Sequence, residues 1–256
     1  MSLQDKVVLM CGAGPGVGRA VATLAASRGA KLALLARTRA TVASTADLTK
    51  GTQTLCVTAD VADAVAVDAA IAATIERFGR IDVLVHSILP PHLLKPVLDL
   101  TAADLPAWRH SIETSIYGAL TVSRAVALAM TARTGGGAIV FVTATSALQG
   151  YPTVSAHAAG KAGIHALAQC LAAELGPRGI RVNCVAPGVI NGATVRTAFS
   201  DSATRTAFVE SQAVLNATRR MPTDEDVAEA VLFLASDAAA GITGQILAVD
   251  GGRLFH

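Results

Sequence analysis

His157 and Lys161 stand at i, i+4 spacing in the stretch Ser155-Ala156-His157-Ala158-Ala159-Gly160-Lys161. On a helix that spacing puts both side chains on one face. An imidazole titrates near ~6.5 and can give or take a proton close to neutral pH, and an ammonium beside it disfavours the charged ring. A second stretch with chemistry in it is Gly12-Ala13-Gly14-Pro15-Gly16-Val17-Gly18. It follows the apolar run Lys-Val-Val-Leu-Met-Cys at 6–11 and precedes Ala20, Val21, Leu24 and Ala25, which recur at helical spacing up to Gly29. Strand, glycine turn and helix in that order make a phosphate site, because glycine lets the backbone approach a pyrophosphate and the helix start offers unpaired N–H groups. A plain strand-to-helix turn would also select glycine, so the context has to decide.

That context is an alternation of strands and helices. Residues 31–36 form a second apolar strand, ending in Ala36-Arg37-Thr38-Arg39 where a dinucleotide fold meets the adenosine ribose. No carboxylate stands there to bind a 2′-hydroxyl, and a guanidinium can pair with a 2′-phosphate, so NADP is preferred and NAD stays open. The alternative is that Arg37 and Arg39 merely form a solvated helix start. Strands are expected at 54–59, ending in Asp60-Val61, and at 81–85, followed by the loop His86-Ser87-Ile88-Leu89-Pro90-Pro91-His92. A helix at 65–78 separates them, and one long amphipathic helix covers 103–133 with Trp108 as a packing anchor. Further strands are expected at 138–143, 181–185 and 245–249, with helices at 156–175 and 224–234. Thr223 N-caps the last helix and Asp226 stands at its third position. The polar stretch from 188 to 221 is read as a substrate lid, with an ordinary surface excursion as the alternative. The fold class is thus α/β: one Rossmann-type domain over 1–256, a doubly wound parallel sheet of about seven strands with helices on both faces.

The totals exclude several partners. The chain is 52% hydrophobic but 4% aromatic, so Ala, Val, Leu and Ile must fill its core. The formal net charge of +2 is spread along the chain, which leaves no basic stripe for nucleic acid. Mean hydropathy is +0.50. Every apolar run nevertheless breaks before the ~18 residues a spanning helix needs, so no membrane is expected. No export signal is visible at the start. Cys11, Cys56, Cys170 and Cys184 show no Cys-x-x-Cys pair, so buried free thiols and a cytoplasmic location are expected.

These residues resemble the short-chain dehydrogenase/reductase family over nearly the whole chain. The markers stand in order: Gly12-x-x-x-Gly16-x-Gly18, Asp60-Val61, Arg181-Val182-Asn183 leading to Pro187-Gly188, and Ile242-Thr243-Gly244 with Asp250-Gly251-Gly252. The resemblance implies a seven-stranded Rossmann sheet, bound NAD(P), a small-molecule substrate, a homodimer or homotetramer, and hydride transfer between nicotinamide and a carbonyl or alcohol. It assigns the cofactor to Gly12, Gly14, Pro15, Gly16, Val17, Gly18, Arg37, Asp60, Val61, Ser87, Lys161, Pro187, Gly188 and Ile190. It also shows what has changed. The family's Tyr falls on His157, its Ser on Ala144, and its Asn, in an Asn-x-x-Gly pattern, on Ser115 before Gly118. The usual Asn-Asn-Ala-Gly loop has become His86-Ser87-Ile88-Leu89.

Three readings follow. His157 can take the Tyr role, with Lys161, Ser115 and a substitute hydroxyl from Ser146, which shares a face with Ala144 if the strand continues. Tyr151 is a second candidate donor. The site can instead reduce a carbon–carbon double bond, since His86-Ser87-Ile88 looks like the same loop in enoyl-carrier-protein reductases, although the Tyr of those enzymes falls on Val154. Or the chain binds a dinucleotide without transferring hydride and serves as a partner or sensor. A metal site is not expected, because His86, His92 and His157 match no ligand spacing. His165 and His256 receive no role.

Overall fold

The computed structural model describes residues 2–90, 93–133 and 135–255. Seven strands form one parallel sheet in the order β3-β2-β1-β4-β5-β6-β7. They are β1 Val7–Cys11, β2 Lys31–Ala36, β3 Thr54–Thr58, β4 Val83–His86, β5 Gly137–Val142, β6 Ile180–Pro187 and β7 Ile246–Val249. The helices are α1 Val17–Ser27, α2 Arg39–Ala46, α3 Ala64–Phe78, α4 Leu105–Ile112, α5 Gly118–Thr131, α6 Ser155–Leu175, α7 Ala193–Ala198, α8 Ser202–Ala213 and α9 Asp224–Ala235.

Strand alternation divides the core in two. Leu9 and Cys11 of β1 face one apolar layer with Val67 and Ile71 of α3, Val122 and Val126 of α5, and Ile164 of α6. Val8 and Met10 face the other, with Val21 and Ala25 of α1, Val42 of α2, and Val227 and Val231 of α9. Period-two burial on both faces is what a covered parallel sheet requires, and it explains why the strands read as unbroken apolar runs. The strand order reverses between β1 and β4, and a crevice opens there beyond the carboxyl ends of the strands.

Three expectations change. The long helix is interrupted by a π-helical turn at Glu113–Tyr117. There the chain is pressed from two sides: a Cβ on Gly118 would lie 2.5 Å from Val61 Cγ2, and a Cβ on Gly160 would lie 2.7 Å from Ser115 Oγ. Residues 188–221, to which the sequence pattern assigned no helix, hold α7 and α8. The apolar pattern missed them because α8 has no buried residue and α7 buries only Val195. Of the four thiols, Cys56 and Cys170 are exposed, the first on edge strand β3 and the second on the outer face of α6. The expected capping box of Thr223 and Asp226 is present. No helix among the described residues is long and apolar enough to cross a membrane.

Candidate active site

The glycine turn folds back tightly on the sheet. Gly12 has φ +91° and its N–H donates to Leu35 O at 2.8 Å. A Cβ there would overlap the Ser87 carbonyl oxygen, and one on Gly18 would overlap the Gly12 carbonyl oxygen. Gly16, with φ +96°, is the N-cap of α1 and has no side chain to occupy the first N–H groups of the helix. This cradle fits a pyrophosphate, because a methyl group at Gly12 or Gly18 has no room and the helix start offers donors and a positive dipole end.

Two cavities of about 290 Å³ each share Gly12, Pro15, Ser87, Ile88 and Leu89, so they form one trench across the switch point. The first is lined by Gly12, Gly14, Pro15, Ala36, Arg37, Thr38, Thr41, Asp60, Val61 and Ser87. Arg37 is exposed there, and Asp60 turns one carboxylate oxygen to the Ala62 N–H at 3.0 Å. The second is lined by Gly16, Val17, Gly18, Ala144, His157, Lys161, Pro187, Gly188 and Ile190. Every residue that the resemblance assigns to the cofactor thus lies on this trench.

The candidate catalytic residues do not all gather. Lys161 is 2% exposed, and its ammonium donates to Ile88 O at 2.9 Å and Val142 O at 3.0 Å. Burial lowers its pKa to about 8. His157 lines the same cavity one helical turn earlier. Ser115 is not on the trench: its Oγ is buried behind Gly160 and has no hydrogen-bond partner. Ser146 is displaced as well, because β5 ends at Val142 and Thr145–Ala147 is a 3-10 turn, so the strand does not continue and no shared face with Ala144 exists. Its Oγ is also buried and unpartnered. Tyr151 does not line either cavity.

Sequence reasoning gave His165 no role, placed His86 in the loop after the fourth strand although it ends β4, and read Asp224 only as a helix start. His165, one turn beyond Lys161, bonds Thr143 Oγ1 through Nε2 at 2.9 Å. Thr143 Oγ1 donates onward to Val185 O at 3.1 Å, which assigns the imidazole proton to Nε2. Burial, then the Lys161 charge, lowers the pKa of His165 to about 4. His86 is fully buried, with both ring nitrogens unpartnered and its ring edge-on to Phe141 at 5.7 Å. Burial first and Lys161 second lower its pKa to about 3. Asp224, read only as a helix start, lines the second cavity. Among the described residues no group of three metal-binding side chains occurs, and His92 and His256 lie outside them.

Comparison with known proteins agrees with this geometry. A family model described as enoyl-(acyl carrier protein) reductase matches residues 12–253. An L-rhamnose 1-dehydrogenase (NAD(P)(+)) of Sphingomonas sp. (strain SKA58) is 35% identical over 99% of this chain and 98% of its own. A cis-4-hydroxycyclohexanecarboxylate dehydrogenase of Sinomonas cyclohexanicum is 35% identical over 97% and 96%. The structure of a short-chain type dehydrogenase/reductase from Mycobacterium ulcerans superposes with a TM-score of 0.90 at 28% identity, covering 99% of this chain and 91% of that one. The chain belongs to the short-chain dehydrogenase/reductase family of NAD(P)-dependent oxidoreductases.

Proposed function

We propose that this protein interconverts a secondary alcohol and a ketone with NADP(H), and that His157 moves the proton. The observation that carries the reading is the set of titratable side chains on the second cavity: Lys161, His157 and Asp224. Lys161 is held by two carbonyls, and Asp224 by the Ala193 N–H and Arg196. His157 is the member whose ordinary range falls near neutral pH, the range a general acid or base needs.

When bound, the nicotinamide supplies or accepts the hydride. Carbonyl reduction then leaves negative charge on oxygen, and the His157 imidazolium donates its proton there; in oxidation the neutral ring takes the hydroxyl proton. Lys161 sits one helical turn from His157 on the same cavity wall. Arg37, on the adenosine side with no acidic neighbour at Ala36, supports a 2′-phosphate and so NADP over NAD. Asp60 and Val61 border the adenine side, and Ser87, Pro187, Gly188 and Ile190 border the nicotinamide side.

The walls around His157 include Ile88, Leu89, Val142, Ala144, Val189, Ile190 and Val195. Ser87, Thr143, Thr194 and Asp224 lie on the same cavity, so the lining suits a cyclic alcohol of mixed apolar and polar character, as in the cyclohexane-type and sugar-type relatives. Self-association into a dimer or tetramer belongs to the same reading, because Tyr117 of the π-helical turn and Leu120 and Leu128 of α5 leave apolar surface exposed. Four free cysteines support a reducing, cytoplasmic setting.

The test is NADP+ reduction with a panel of substituted cyclohexanols, for wild type and for His157→Phe. Turnover that survives His157→Phe unchanged removes the proton assignment. A second reading, reduction of a conjugated carbon–carbon double bond, is favoured by the enoyl description of the matching family model. NADPH oxidation by a short enoyl thioester, with no response to ketones, would establish it instead.

A further inference from the structure

Asp224 is the first residue of α9, and its neighbours in space come from elsewhere in the chain. Its side chain is 5% exposed, whereas that of its partner Arg196 is 55% exposed, so the carboxylate faces inward and the guanidinium outward. One oxygen, Oδ2, accepts from the Ala193 N–H at 3.1 Å and from Arg196 Nη2 at 3.0 Å. The other, Oδ1, lies 3.5 Å from the position a Cβ on Gly16 would take, against the phosphate-binding turn. The fit on the far side is equally close: a Cβ on Gly192 would overlap Oδ1 and lie 2.9 Å from Cγ. A further clip, Asn191 N–H to Pro222 O at 2.8 Å, ties the start of the same segment to the residues before α9.

The carboxylate therefore has two effects. It fastens residues 191–198 over the second cavity, and it places negative charge beside the turn where pyrophosphate is cradled. Burial pushes the Asp224 carboxyl above its ordinary range, and the Ala193 N–H and the Arg196 counter-charge oppose that push and favour the ionised form. Asp226 does not share this role, since it is engaged by the Thr223 N–H and by Arg220.

We propose that Asp224 is a brake on cofactor affinity: it opposes the pyrophosphate of an anionic dinucleotide while latching residues 191–198 over the trench, and Arg196 balances its charge. The inference rests on the dinucleotide reading above and deepens it. Its chemistry is like-charge repulsion in a half-desolvated cleft, where two charges several ångströms apart still interact appreciably.

The test is calorimetric titration of purified wild type, Asp224→Asn, Arg196→Met and the double variant with NADPH and with NADP+. Asp224→Asn keeps the shape and the contact with Ala193 but removes the charge, and is expected to lower Kd for both nucleotides about 3- to 10-fold. Arg196→Met leaves the carboxylate unbalanced and is expected to raise Kd by a similar factor, an effect that shrinks when Asn already stands at 224. Asp224→Asn with unchanged or weaker uptake overturns the brake, as does tighter uptake by Arg196→Met, which decides the matter alone should Asp224→Asn fail to fold. Equal uptake by all four proteins removes this inference only. No uptake of either nucleotide by wild type removes the dinucleotide reading and the brake with it.

Discussion

The two halves of the trench are made of different material. On the side of the glycine turn, the cradle is made of backbone: the φ of Gly12 and Gly16, the missing Cβ atoms at Gly12 and Gly18, and the N–H groups at the start of α1. On the other side the wall is made of side chains, and there the positions that the family resemblance matches to its Tyr and Ser hold His157 and Ala144. A backbone cradle is shared by the strand, the turn and the helix, so few substitutions can alter it without disturbing the fold. A proton donor is a single side chain at the cavity wall, and exchanging it changes chemistry while leaving the scaffold intact. On the proposed function, binding and turnover are separable in this molecule.

The largest effect that would break this comparison is on the backbone side. Gly18→Ala drives a methyl group into the Gly12 carbonyl, so nucleotide uptake should fall more than about 100-fold and the melting temperature should drop. Calorimetry and thermal unfolding read both. Next comes His157→Phe, expected to reduce turnover by about 10²- to 10⁴-fold while leaving the NADPH Kd within about twofold. Parallel losses in both quantities would mean that the two halves are not separable.

Arg37→Ala sharpens the adenosine side. The NADPH Kd should rise roughly 10-fold and the NADH Kd should stay put, because only the former carries a 2′-phosphate for the guanidinium. Equal weakening of both would assign Arg37 to general electrostatics.

The smallest effect concerns stability alone. His86 keeps two unpartnered ring nitrogens in the core, so His86→Leu should stabilise the fold by about 1–2 kcal/mol in urea unfolding at pH 7. Its folded pKa, about 3, lies below the unfolded value, as does that of His165, at about 4. The unfolded chain thus binds more protons over that range, and stability present above about pH 6.5 is lost as pH falls toward 4 and 3. His86→Leu should flatten part of that acid limb, and an unchanged pH profile would show that the ring is not neutral and buried as described.

Much of the scaffold was legible because its signals are local. Apolar runs marked the strands, the glycines marked the tight turn between β1 and α1, and Thr223 with Asp226 marked the start of α9. The illegible parts lacked a local signal. α8 buries nothing, so it leaves no apolar period to read. The π-turn at Glu113–Tyr117 arises where Gly118 meets Val61 and Gly160 meets Ser115, contacts between elements that the chain brings together only on folding. Ser146 failed as a candidate because extrapolating β5 beyond Val142 ignored the 3-10 turn that follows.

By itself the sequence determined the sheet, the anion cradle and the identities of the exchanged catalytic positions, since each is written in neighbouring residues through backbone freedom and hydrophobic period. Only the tertiary structure decided which side chains reach the trench. His165 meets Thr143 across 22 positions and Arg196 meets Asp224 across 28, and the desolvation that holds His86 and Lys161 away from their ordinary titration ranges exists only once two layers of helices have closed over the sheet.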